Sequence, residues 1–129
     1  MSKLPLIFLP GLLCDERLFA PQREALDEVT TTQFVNLNAA TSIEQMANLV
    51  FHQAPEEFGL VAFSMGGYVA FEMFRQKSQA IKKLALISTT ARLDTPEMRQ
   101  RREDFIALAK RGKFRGITRQ LLPQMIDHS

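Results

Sequence analysis

The sequence predicts an α/β protein: one parallel sheet of about four strands with helices on both faces, followed by two more helices. Three observations carry this. Four short runs rich in apolar residues, at 4–9, 32–37, 58–63 and 83–88, each stop at turn residues or at the start of a helical pattern. Between them apolar residues recur at helical spacing, so strands alternate with helices, as parallel crossovers require. The runs at 4–9 and 58–63 are apolar without alternation, as strands covered on both faces must be. Right-handed crossovers then govern how each unit winds.

The elements follow in order. The run 4–9 ends at Pro10-Gly11, a tight turn. Lys3 followed by LPLIFLPGLLC has the outline of a short signal sequence. However, Pro5, Pro10 and Gly11 interrupt it, and Leu13 is too large for the small-residue position that cleavage needs, so a strand is expected. Leu18, Phe19, Ala25, Leu26 and Val29 fall at helical spacing, with Pro21 dividing a short turn from a longer helix. After the strand at 32–37, Thr41-x-x-Glu44 reads as a capping box. It opens a helix with Ile43, Met46, Ala47, Val50 and Ala54 on one face, stopped by Pro55. The strand at 58–63 leads into a helix over 65–77, and 83–88 is the fourth strand. Asp94-x-x-Glu97, with Pro96 in the first turn, opens a helix to about residue 110 that Gly112 closes. A last helix is expected over about 114–125.

With 129 residues, 46% hydrophobic and 23% charged, the chain is a single globular domain able to bury a core. Its net charge is +2, unevenly placed: 99–119 holds eight Lys and Arg against Glu103 and Asp104. A solvated helical face explains this, and a landing surface for an anionic partner is the sharper alternative. No nucleic-acid motif or stacking aromatics accompany the charge. No stretch is long and apolar enough to span a bilayer, so no membrane partner is expected. Cys14 is the lone cysteine, which excludes an intramolecular disulfide and fits a reducing, cytoplasmic setting. It is expected to be a small buried filler. Neither a metal-ligand cluster nor a phosphate loop is present, and no cofactor is implied.

The chemistry centres on LVAFSMGGY, residues 60–68. A strand runs into Ser64, and Gly66 and Gly67 follow closely. Serine is a weak nucleophile until a base removes its proton, and the oxyanion it creates needs fixed donors. A sharp strand-to-helix turn exposes the hydroxyl, provided that positions two before and two after stay small. Here they are Ala62 and Gly66. The bland alternative is a serine that merely caps a helix.

Ala62-Phe63-Ser64-Met65-Gly66 resembles the nucleophile elbow, G-x-S-x-G, of the α/β-hydrolase family, with Ala62 for the first glycine. Ile7-Phe8-Leu9-Pro10-Gly11-Leu12 resembles the family's oxyanion loop, where histidine-glycine more often stands at Pro10-Gly11. The resemblance implies an esterase-like serine hydrolase with Ser64 as nucleophile and the backbone N–H groups of Leu12 and Met65 as the oxyanion hole. The segment 91–97 resembles the start of the family's helical cap, which implies a core over 1–93 and a cap-like segment over 94–129 of the same domain.

A base and an acid must follow the serine in chain order. Of the two histidines, His52 precedes Ser64 and His128 follows it. Asp94, after the fourth strand, would complete a Ser64–Asp94–His128 set. Both residues have ordinary readings, Asp94 as a helix cap and His128 as part of a terminus. His128 of a second chain could also serve in trans. The competing reading is a truncated or non-catalytic domain dominated by self-association. A small-molecule ester or acyl compound is the expected substrate. The fourth strand would leave an apolar edge unpaired, so a homodimer or larger homo-oligomer is expected.

Overall fold

Strands β1 (Leu6–Leu9), β2 (Thr32–Phe34), β3 (Phe58–Phe63) and β4 (Ile81–Ile87) pair in parallel in the order β2-β1-β3-β4. This is the four-stranded parallel sheet with surrounding helices that the sequence predicts. The computed structural model describes residues 3–113, 115, 119 and 123. The helix expected over 114–125 therefore lies largely outside the described residues.

Register decides which side chains share a face. Ile7 lies opposite Leu60 and Leu9 opposite Ala62. With Phe58 they form a buried row against α2 (Ile43–Gln53) and α3 (Met65–Lys77), which contribute Ala47, Val50, Val69, Ala70 and Met73. The opposite face is aromatic. Phe19 ends a short 3-10 turn, Glu16–Phe19, and its ring centroid lies 4.9 Å from Phe8 and 6.5 Å from Phe63. Burying each such side chain contributes about 1.5–3 kcal/mol. Pro21 stands in the first turn of α1 (Ala20–Leu26), where its missing N–H has no cost, so turn and helix divide there as expected. Val29 lies beyond the helix and is exposed.

Two helix starts correct the sequence reading by one residue each. The cap of α2 is Ser42, whose Oγ accepts from the Gln45 N–H at 3.1 Å. Gln45 Oε1 reaches back to accept from the Thr41 N–H at 3.0 Å, so the box is Ser42 and Gln45 rather than Thr41 and Glu44. The cap of α4 (Pro96–Lys110) is Thr95, accepting from the Met98 N–H at 3.2 Å. Asp94 instead forms an ion pair with Arg102, Nε to Oδ2 at 2.7 Å. At the far end Gly112 sits at φ 68, and the Lys113 N–H reaches Leu108 O at 2.9 Å. That left-handed closure is the one glycine permits.

The chain divides into two compact units, residues 1–91 with the whole sheet and a second beginning at Arg92. Among the described residues no helix is long and apolar enough to cross a membrane. On α3, Glu72 accepts hydrogen bonds from Arg75 at 2.6 and 2.8 Å and from Gln76 at 2.8 Å. These bonds pull its carboxyl from an ordinary 4.5 down to about 2. A lowered folded value stabilises the fold above the ordinary range and loses that support as pH falls through the folded one. Glu72→Gln is expected to flatten the acid limb of the stability–pH curve over that window. Superimposable acid limbs would remove the pair from the account.

Candidate active site

The strand order places a topological switch point between β1 and β3. From β1 the chain crosses to β2 on one side, and from β3 it crosses to β4 on the other. Crevices at the carboxyl ends of such strands are where open α/β sheets bind ligands. Ser64 follows β3, and the loop from Pro10 follows β1. Both chain segments therefore leave the sheet at that crevice.

Ser64 has a backbone unlike those of the chain's capping residues. Ser42 (φ −140, ψ 159) and Thr95 (φ −68, ψ 161) are extended and their side chains accept from helical N–H groups. Ser64 has φ 50 and ψ −114, and its side chain makes no capping bond to α3. A non-glycine residue at positive φ is strained and persists only where its surroundings hold it. Here the Ser64 N–H donates to Ile87 O at 3.0 Å and its carbonyl accepts from the Gly67 N–H at 2.9 Å. The half-buried hydroxyl is thus left free of helix capping.

The small residues around it answer to specific neighbours. A Cβ on Gly66 would stand 2.8 Å from Leu9 O and 2.9 Å from Pro10 O, both rigid backbone atoms. A Cβ on Gly11 would lie 3.2 Å from Ser64 Cβ and 3.0 Å from the Phe63 ring. Glycine at these two positions therefore lets the β1 loop close onto the serine. The loop then turns, with the Cys14 N–H donating to Gly11 O at 3.2 Å and Leu13 at φ 61. In such a turn the bond is made by the outer residues, and the N–H groups of Leu12 and Leu13 take no part in it. Met65 opens α3, so its N–H belongs to the first turn, which has no intrahelical acceptors and carries the positive end of the dipole. Cys14 is half-exposed, with Sγ 3.5 Å from Leu12 O, because it lies on this surface turn and not in the core.

His52 is exposed at the end of α2. Asp94 belongs to the second unit, where it holds Arg102 and borders a depression of about 270 Å³ with Pro96, Arg99, Gln100 and Glu103. His128 lies outside the described residues. The sequence reading missed Thr89, whose hydroxyl donates to Ser64 O at 2.7 Å. The only local signal was a polar Ser88-Thr89 pair closing an apolar strand.

No protein-family model matches the chain, and no curated protein matches it at a significant level. Solved structures do. A thermophilic esterase from Thermogutta terrifontis aligns with a TM-score of 0.72 at 26% identity, over 87% of this chain and 46% of that one. An esterase from a marine microorganism aligns at 0.64 and 21% identity, over 99% and 56%. An N-formylmaleamic acid deformylase from Pseudomonas putida S16 shares the fold at 0.62 and 21%, over 86% and 50%. The chain spans about half the length of these structures.

Proposed function

From its place among the α/β-hydrolase-like proteins, we propose that the chain is a serine hydrolase of carboxylic esters working through an acyl-Ser64 intermediate. The observation that carries this is the strained Ser64 backbone without a capping bond. Structure that holds a serine at positive φ and keeps its hydroxyl out of helix capping serves exposure of a nucleophile, whereas capping would use the extended backbone seen at Ser42. The esterases among the matched structures support carboxylic esters as the substrate class.

In the proposed reaction Ser64 Oγ attacks the ester carbonyl carbon as its proton passes to a base. The N–H groups of Met65 and Leu12 receive the oxyanion. Collapse of the tetrahedral intermediate expels the alcohol, which takes the proton, and water then cleaves the acyl-serine. Residues 1–93 supply this core, with 94–129 as its cap. His128, from the same chain or a second copy, is the candidate base and Asp94 the candidate acid. No metal or cofactor takes part in the scheme, and the lone Cys14 fits a reducing, cytoplasmic setting. If His128 is the base, His128→Ala lowers ester turnover by orders of magnitude, leaving the oxyanion hole's residual rate. Equal turnover in the two proteins removes His128 from the mechanism. Labelling of Ser64 by a fluorophosphonate tests the reading as a whole.

A second reading, a domain dominated by self-association, is favoured by β4. Its outer edge pairs with no described strand, and Leu84 and Leu86 are 40% and 42% exposed. An apolar strand with an open edge is a template for another chain. Size-exclusion chromatography at micromolar concentration is expected to show a homodimer or larger species, and Leu84→Lys to shift it toward monomer. A monomer at every concentration removes this part of the proposal.

A further inference from the structure

We propose that Thr89 is a positioning residue that aims the Met65 N–H at the reacting oxygen. The inference rests on reading Ser64 as the nucleophile.

The carbonyl of Ser64 and the N–H of Met65 belong to one peptide group. That group is planar and trans, so its oxygen and its hydrogen point in opposite directions. Whatever holds the oxygen therefore aims the hydrogen. Thr89 Oγ1 donates to this oxygen at 2.7 Å, and the Gly67 N–H donates to it at 2.9 Å. The Gly67 bond is a local i to i+3 contact common to helix starts. The Thr89 bond comes from a separate strand exit, 25 residues on in sequence.

The local structure is shaped around this contact. Ser88 is at φ 49, a second strained non-glycine residue, at the point where the chain leaves β4. The bend sends Thr89 toward the beginning of α3. A Cβ on Gly67 would fall 2.2 Å from Thr89 Oγ1 and 2.6 Å from Thr89 Cγ2. Thr89 thus occupies the space that any side chain at 67 would need. The Ser64 N–H is bonded to Ile87 O, in the same strand exit. Both backbone groups of the nucleophile are tied to the 87–89 segment, and a carbonyl that accepts such a bond also polarises the N–H across its peptide.

The test compares wild type with Thr89→Val, which keeps the shape and loses the hydroxyl, and Thr89→Ser, which keeps the hydroxyl. Two readouts are taken: amide hydrogen exchange over residues 65–67, and kcat and KM for a p-nitrophenyl ester. Thr89→Val is expected to speed exchange and lower kcat about tenfold each, the weight of one hydrogen bond, with KM unchanged. Thr89→Ser is expected to restore both to within about twofold. Faster exchange with unchanged kcat means a purely structural bond and overturns the proposal, as does unchanged exchange. Loss carried by KM alone also overturns it. If valine does not fold, Thr89→Ala is measured against Thr89→Ser in its place. A wild-type protein with no ester turnover overturns the hydrolase reading and, with it, the aiming role; exchange alone then reports whether Thr89 holds the Ser64–Met65 peptide.

Discussion

Ser64→Ala is expected to abolish fluorophosphonate labelling and to reduce ester turnover to background, while leaving the melting curve close to that of the wild type. The physical ground is the division of labour at the elbow. The fold holds Ser64 through its backbone, with the N–H on Ile87 O and the carbonyl on Gly67 and Thr89. The Oγ caps nothing in α3. Removing it therefore removes the proposed nucleophile and no capping bond to α3. Loss of an N-cap side chain, by contrast, costs about 0.5–2 kcal/mol. Thr95→Ala in the same chain is expected to show that cost because Thr95 Oγ1 accepts from Met98. If Ser64→Ala melts as far below wild type as a cap mutant does, the serine is structural. If it retains ester turnover, the acyl-Ser64 intermediate is wrong.

The second large effect is on the fit between loop and helix. A methyl group at position 66 would sit 2.8 Å from Leu9 O and 2.9 Å from Pro10 O. These are backbone atoms of a buried strand exit, so α3 or the β1 loop must move. Overpacking of this kind costs about 1–3 kcal/mol, which lowers Tm by on the order of 5–10 °C for a domain of this size. Gly66→Ala is also expected to slow Ser64 labelling, because either movement opens the fit between α3, which begins just after Ser64, and the loop carrying Gly11 and Leu12. Gly59→Ala is the control. Its Cβ would meet Leu6 Cδ2 at 2.5 Å, the end of a flexible side chain that can swing aside. A smaller loss of Tm and unchanged labelling are expected there. Equal effects at the two glycines would show that the close approach at Gly66 is not what the elbow depends on.

Much of this was legible along the chain because it depends on near neighbours. The strand at 58–63 and the helix at 65–77 appear where the sequence predicts them. An uninterrupted apolar run and a helical period are properties of a few consecutive residues. The elbow serine, its small flanks and the closing Gly112 were legible for the same reason. The cap positions were misread by one residue because Thr41 and Ser42, like Asp94 and Thr95, are adjacent competitors. Which of them caps depends on backbone angles and on a partner elsewhere, Gln45 in one case and Arg102 in the other.

The amino-acid sequence by itself determined which segments become strands and helices and that a serine would stand at the strand-to-helix turn after β3. Only the tertiary structure decided that Gly66 faces Leu9 and Pro10 and that Gly67 makes room for Thr89. The reason is distance along the chain. Periodicity and turn chemistry act over a few residues, whereas Thr89 meets Ser64 only after 25 residues of helix and strand have folded back beside it.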